Sequence, residues 1–201
     1  MNVDAVLFDF GGVLAEEGFR EGLTEVARAN GLDPVAFVQT AVDTVYATGY
    51  LLGKAPESRF WDALRQKTGI KESDDALREA VFSRFIPRDW MLDLVKKLKG
   101  RGLTVGILSD QLDMLDQLDK KYDFFRWFDD VFNSYHLGKG KRDPSHFADV
   151  ARVLKTKPER LLFIDDDQGN IARARQMGWQ AILYTDRESF LKALEAIVPL
   201  T

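Results

Sequence analysis

At 201 residues the chain has room for one domain, or one domain with a modest insertion, and for a substantial core. Its 45% hydrophobic and 30% charged residues form an ordinary globular composition that excludes wholesale disorder. A net charge of -4 leaves no electrostatic footprint for nucleic acid, and the absence of cysteine excludes disulfides, thiol nucleophiles and zinc–thiolate sites.

The first element is an apolar run, Val6-Leu7-Phe8, which carries Asp9 at its end and is followed by Phe10 and the pair Gly11-Gly12. Such a run reads as a buried strand closing in a tight turn. Nothing before it resembles a basic-then-apolar leader, and no apolar stretch later approaches the roughly 20 residues of a membrane span. The expectation is a cytoplasmic protein with no membrane or nucleic-acid partner; oligomeric state is left open.

From about Glu16 to Arg84 the pattern is helical. Phe19, Leu23, Val26 and Ala27 share one face, and Asn30-Gly31 ends that helix. Asp33-Pro34 predicts an N-cap and first helical residue, launching a helix toward Tyr50. Pro56-Glu57-Ser58 opens another, with Phe60, Trp61 and Leu64 on one side, and Ser73 or Asp74 caps a fourth. Helical spacing assigns Tyr46, Tyr50, Phe60 and Trp61 to the interior of this segment.

From Pro87 helices and strands alternate. A helix through Met91 and Leu98 leads to a strand over 103–108 that ends at Ser109-Asp110. A helix around 112–118, a short strand at 131–133 and a helix opened by Pro144 follow. The apolar run Leu161-Leu162-Phe163-Ile164 then ends in Asp165-Asp166-Asp167, and a helix over 168–177, a strand over 179–184 and a final helix over 188–197 complete the chain. Alternation of this kind predicts a parallel sheet covered on both faces, with ligands outside the carboxyl ends of the strands. The fold expected is α/β: a Rossmann-like three-layer core, residues 1–15 and 86–201, with a small all-helical cap over 16–85 inserted after the first strand.

Taken alone, each acidic or hydroxyl residue has an ordinary use. Asp9 suits a turn, Ser109 an N-cap, and Asp165 to Asp167 the start of a helix whose dipole they complement. Three adjacent carboxylates repel one another, however, so a cation is the simpler account. His136 and His146 lack carboxylates at ligand spacing and are not read as metal ligands. Lys139, Lys141 and Arg142 read as a solvated basic loop.

Together, four segments resemble the haloacid dehalogenase-like hydrolase superfamily, in the subgroup with a helical cap between its first and second motifs. They are Asp9-Phe10-Gly11-Gly12, Ile107-Leu108-Ser109-Asp110, Lys141-Arg142-Asp143-Pro144, and Phe163 to Asn170. The resemblance implies a magnesium-dependent hydrolase, foremost a phosphatase of a small phosphorylated metabolite such as a sugar phosphate. Asp9 is then the nucleophile, assisted by Ser109 and Lys141, and Ser109, Asp110 and Lys141 bind the phosphoryl group. Asp9, the carbonyl of Gly11 and Asp166 would hold Mg²⁺, with Asp165 and Asn170 supporting them or reaching the ion through water.

Three positions depart from the family pattern: Asp110 stands where the family often has Asn, Arg142 where it often has Pro, and the third bears on the mechanism. Most of its phosphatases carry a second Asp two positions after the nucleophile, as acid and then base, a role worth about 10²- to 10⁴-fold in rate. Here that position is Gly11. Good leaving groups should suffer least, and Glu16 or Glu17 is the first candidate to replace the acid. Gly11 also keeps open a catalytically weak relative that binds a phosphorylated ligand or a protein. Dehalogenation of a 2-haloacid fits less well, because such enzymes lack an acidic fourth motif of this form.

Overall fold

A computed structural model describes residues 3–199. Residues 1, 2, 200 and 201, the outer ends of the expected core, lie outside the described residues. Strand β1 (Ala5–Phe8) is followed by helices α1 (Gly18–Ala29), α2 (Pro34–Thr48), α3 (Glu57–Thr68), α4 (Asp74–Phe82) and α5 (Asp89–Gly100). Then come β2 (Thr104–Ser109), α6 (Met114–Tyr122), β3 (Asp130–Asn133), α7 (Ser134–Leu137) and α8 (Ser145–Val153). The chain ends with β4 (Leu161–Asp165), α9 (Gln168–Gln176), β5 (Gln180–Leu183) and α10 (Arg187–Ile197).

All strand pairings are parallel, in the order β3-β2-β1-β4-β5. Alternate residues of each strand serve opposite faces, as the pleat requires. Val6, Phe8, Ile107 and Ile164 join the apolar cluster that includes α5, α6 and α10, whereas Leu7, Leu108 and Phe163 join the cluster that includes α8 and α9. Helices on both faces of one parallel sheet make the expected three-layer architecture.

Local chemistry explains the element ends. Asp33 Oδ1 accepts from the amide of Ala36 at 2.7 Å and caps α2, with Pro34 at its first position. Ser73 does the same for α4. Helix α2 stops at Thr48, two residues short of the expected Tyr50, because Gly49 takes a left-handed turn with φ 81°. The short helix α7 was not expected, and α6 starts at Met114, two residues beyond the expected Leu112.

The four helices between β1 and α5 pack on one another, and their buried side chains, Phe60 and Trp61 among them, join the same apolar cluster as one face of the sheet. Their entry and exit run side by side. Glu16 N donates to Ile86 O at 2.9 Å, and Arg88 N to Leu14 O at 2.8 Å. No described helix is long and apolar enough to cross a membrane.

Candidate active site

Register brings the chemistry together. Phe8 lies level with Ile107 of β2 and Ile164 of β4, so the residues just beyond all three strands emerge at one edge. Strand order reverses direction at β1, and at such a switch point the crevice is open to a ligand. Asp9, Ser109 and Asp166 line one cleft there, together with Lys141 from the turn before α8.

Asp9 is 9% exposed and held from several sides. Its Oδ1 accepts from Phe10 N at 2.8 Å and from Ser109 Oγ at 2.6 Å, and its Oδ2 lies 2.8 Å from Lys141 Nζ. Lys141 also donates to Asp165 Oδ2 at 2.6 Å. Burial opposes the charge on Lys141, but Asp165 and then Asp9 more than offset it, and the ammonium titrates well above the ordinary lysine range. Both oxygens of Asp165 are engaged, since Oδ1 accepts from Asp167 N at 2.7 Å and Oδ2 also takes Asn170 Nδ2 at 3.1 Å.

Asp166, by contrast, points toward the Gly pair. Gly12 has φ +78°, and a β-carbon there would stand 2.3 Å from Asp166 Oδ2. Only glycine satisfies both the backbone and the close approach. Burial, and then the charge of Asp9, push the Asp166 carboxyl up to about 6. Asp9, Asp165 and Asp166 each bring a carboxylate oxygen within 4.8 Å of the others. With Asp165 spent on its neighbours, Asp9 and Asp166 offer the carboxylate oxygens that a hard divalent cation favours. The donor set therefore fits magnesium.

The fourth-motif carboxylates divide their work. Asp167 caps α9 by accepting from Asn170 N at 2.8 Å, so the ordinary helix-start reading holds for that residue. Asp110 lines the cleft with both oxygens occupied, by Lys141 N at 2.8 Å and by the Tyr46 hydroxyl at 2.5 Å. The carboxylate thereby braces the turn that carries Lys141.

Several cleft residues departed from expectation. Tyr50, Phe60 and Trp61 are buried as expected, but Tyr46 reaches the cleft. Arg142 stacks over the Tyr46 ring, 3.7 Å from its centroid, instead of standing free in a loop. Arg173, unremarked in the sequence, donates to Lys141 O at 2.8 Å and to Asn170 Oδ1 at 2.5 Å. Its spacing of one helical turn from Asn170 was the available signal. His136 pairs with Asp116 at 2.7 Å away from this cleft, and His146 is buried, which depresses its pKa.

The two adjacent glutamates part company. Glu16 pairs with Arg88 at 2.8 Å. Glu17 caps α1 through Oε1, which accepts from Arg20 N at 3.1 Å, and lines the cleft. Burial raises its carboxyl to about 7, Arg20 N opposing and Asp166 adding to the effect.

The model of the haloacid dehalogenase-like hydrolases matches residues 3–178, and the chain belongs to that family. Among curated relatives, rat bifunctional epoxide hydrolase 2 is 33% identical over 126 residues, which cover 59% of this chain and 22% of the relative. The mouse protein is 27% identical, covering 98% of this chain and 39% of the relative. The chain thus spans well under half the length of these relatives. A sesquiterpene phosphatase of Aspergillus oryzae is 25% identical over 54% of this chain and 56% of its own length.

Solved structures show the same fold. A HAD-like family hydrolase of Porphyromonas gingivalis superposes with a TM-score of 0.79 at 22% identity, covering 99% of each chain. A HAD family enzyme of Bacteroides thetaiotaomicron, crystallised with magnesium and inorganic phosphate, gives 0.71 at 23% identity, covering 94% of this chain and 98% of that one. An L-2-haloacid dehalogenase of Xanthobacter autotrophicus gives 0.67 at 20% identity, covering 99% and 84%.

Proposed function

We propose that this hydrolase is a magnesium-dependent phosphatase of a small phosphorylated metabolite, a sugar phosphate or a similar monoester. The observation that carries the reading is the fixing of both Asp9 oxygens, one by Ser109 and the Phe10 amide and the other by Lys141. A carboxylate attacks phosphorus only when its position is set and the charge on the phosphoryl group is neutralised. Asp9 is the nucleophile and becomes an aspartyl-phosphate. Ser109 donates to a phosphoryl oxygen, Lys141 offsets negative charge on both sides of the reacting bond, and Asp110 serves the phosphate subsite by holding the Lys141 backbone. Asp9, Asp166 and the Gly11 carbonyl would hold Mg²⁺, whose chemistry there is to screen the phosphate charge. Asp165 and Asn170 keep Lys141 and one another in place.

Residues 16–85 form the cap, over a core whose described part is 3–15 and 86–199. Tyr46 and Arg142 meet where the two face each other, so they belong to the wall that selects the substrate. The Aspergillus phosphatase and the phosphate-bound Bacteroides enzyme support phosphorus over carbon as the centre attacked. The three carboxylates at the end of β4, Asp165 to Asp167, count against the dehalogenase reading. Gly11 keeps a second reading in play, a binding protein with little turnover.

Phosphate release with magnesium from acetyl phosphate, glucose 1-phosphate, glucose 6-phosphate and 4-nitrophenyl phosphate tests the proposal. Turnover abolished by Asp9→Asn and by a chelator is the expected result. Retained magnesium affinity without any turnover would favour the binding protein.

A further inference from the structure

The first-motif glycine leaves a space that another element fills. Gly11 is not among the residues with positive φ, so its main chain suits any L residue. A β-carbon built there would meet Glu17 Oε2 at 3.1 Å, with Phe85 Cε1 at 3.1 Å and Gln111 Nε2 at 3.4 Å. The direction in which an acid at position 11 would project is therefore occupied by a carboxylate from the start of α1. That glutamate commits only Oε1, to the amide of Arg20; among the described residues Oε2 has no hydrogen-bond partner. Asp9, Gly11, Glu17 and Asp166 line the same cleft. Glu16 is excluded from the role because Arg88 holds both of its oxygens, at 2.9 and 2.8 Å.

We propose that Glu17 is the acid–base residue of phosphoryl transfer, supplying through Oε2 the function missing at Gly11. The proposal rests on the phosphatase reading above. In the first step an Asp9 oxygen bonds to phosphorus as the bond to the leaving oxygen breaks. The electron pair stays on that oxygen, which takes the proton of Glu17. In the second step water bonds to phosphorus and gives a proton to the Glu17 carboxylate. The Asp9–phosphorus bond breaks with its electron pair returning to Asp9, inorganic phosphate leaves, and Glu17 is again protonated. An acid of this kind makes poor leaving groups accessible, so the substrate class extends to simple alkyl phosphates.

The test compares wild type, Glu17→Gln and the double variant Glu17→Ser/Gly11→Asp, in which serine keeps a capping oxygen and clears the space beside position 11, on phosphates whose leaving groups range from acetate through 4-nitrophenol to simple alcohols. Glutamine keeps the oxygen that caps α1, so a purely structural role survives the change. The expected wild-type kcat/KM varies little across the series. Glu17→Gln loses about 10²- to 10⁴-fold on alkyl phosphates and less than about 10-fold on acetyl phosphate. It also gives a burst of 4-nitrophenol before a slow steady state, because hydrolysis of the aspartyl-phosphate has lost its base. Recovery on alkyl phosphates in the double variant adds support. Wild-type kcat/KM with Glu17→Gln unchanged, or lowered equally across the series, would overturn the role of Glu17 and leave the phosphatase standing. A wild type that releases no phosphate from any of them would overturn both.

Discussion

The ammonium of Lys141 lies 2.8 Å from Oδ2 of Asp9, and the lysine side chain is only 2% exposed. One buried cation thus serves two carboxylates, since Asp165 is 2.6 Å away and fully buried. Removing one member of such a group strands the others, at a cost of about 3–5 kcal/mol. Lys141→Met should lose about that much stability in urea unfolding at neutral pH. Adding Asp165→Asn should return part of it; no recovery would mean the loss comes from packing instead of charge.

Gly12 is constrained twice, by its left-handed backbone and by the Asp166 carboxylate. Gly12→Ala is expected to destabilise by about 1–2 kcal/mol from the backbone alone. It should also push Asp166 aside. Magnesium titration by calorimetry should therefore show weaker binding, while an alanine at the solvent-facing Gly31, which meets nothing nearby, should leave magnesium affinity unchanged.

Arg88 ties the two crossings between sheet and helices, donating to Gly12 O at 2.8 Å and Val13 O at 3.2 Å as well as to Glu16. Arg88→Ala should cost about 2 kcal/mol, a typical figure for losing hydrogen bonds from a charged group. Glu16→Gln should cost less than about 1 kcal/mol, because the glutamate itself is about half exposed. Arg88 holds the Glu16 carboxyl below its ordinary 4.5. The pair therefore stabilises fully above pH 4.5, and its contribution is lost as pH falls through the lower folded value. Unfolding of wild type and Glu16→Gln should differ most near neutrality and converge in acid.

Tyr46→Phe removes the donor to Asp110 Oδ2 and leaves Lys141 N on Oδ1. Because Asp9, the proposed nucleophile, is untouched, KM should rise while kcat holds within about twofold. A fall in kcat with KM unchanged would assign Tyr46 to the chemistry.

The sheet and its motif ends were legible because buried parallel strands read as continuous apolar runs, and their carboxyl ends are where polar residues gather. Helix starts at Asp33 and Ser73 were legible for a local reason, the side-chain oxygen that caps them. The four residues of α7 carry no periodicity to read. Tyr46 lies on a helix whose spacing shows an apolar face but not that the face's edge meets Asp110. Glu16 and Glu17 are indistinguishable in sequence. What separates them is Arg88, a partner 72 residues away.

The antiparallel contact between Ala15 and Pro87 gives the molecule a latitude of its own. Seen from the sheet, everything between those residues is one long loop whose ends are already joined. The entropy of closing such a loop grows only logarithmically, about 0.6 kcal/mol for each doubling of its length. The length of that segment can therefore change at little entropic cost to the strands below, so long as the start of α1 with Glu17 and the contact of Tyr46 with Asp110 are kept.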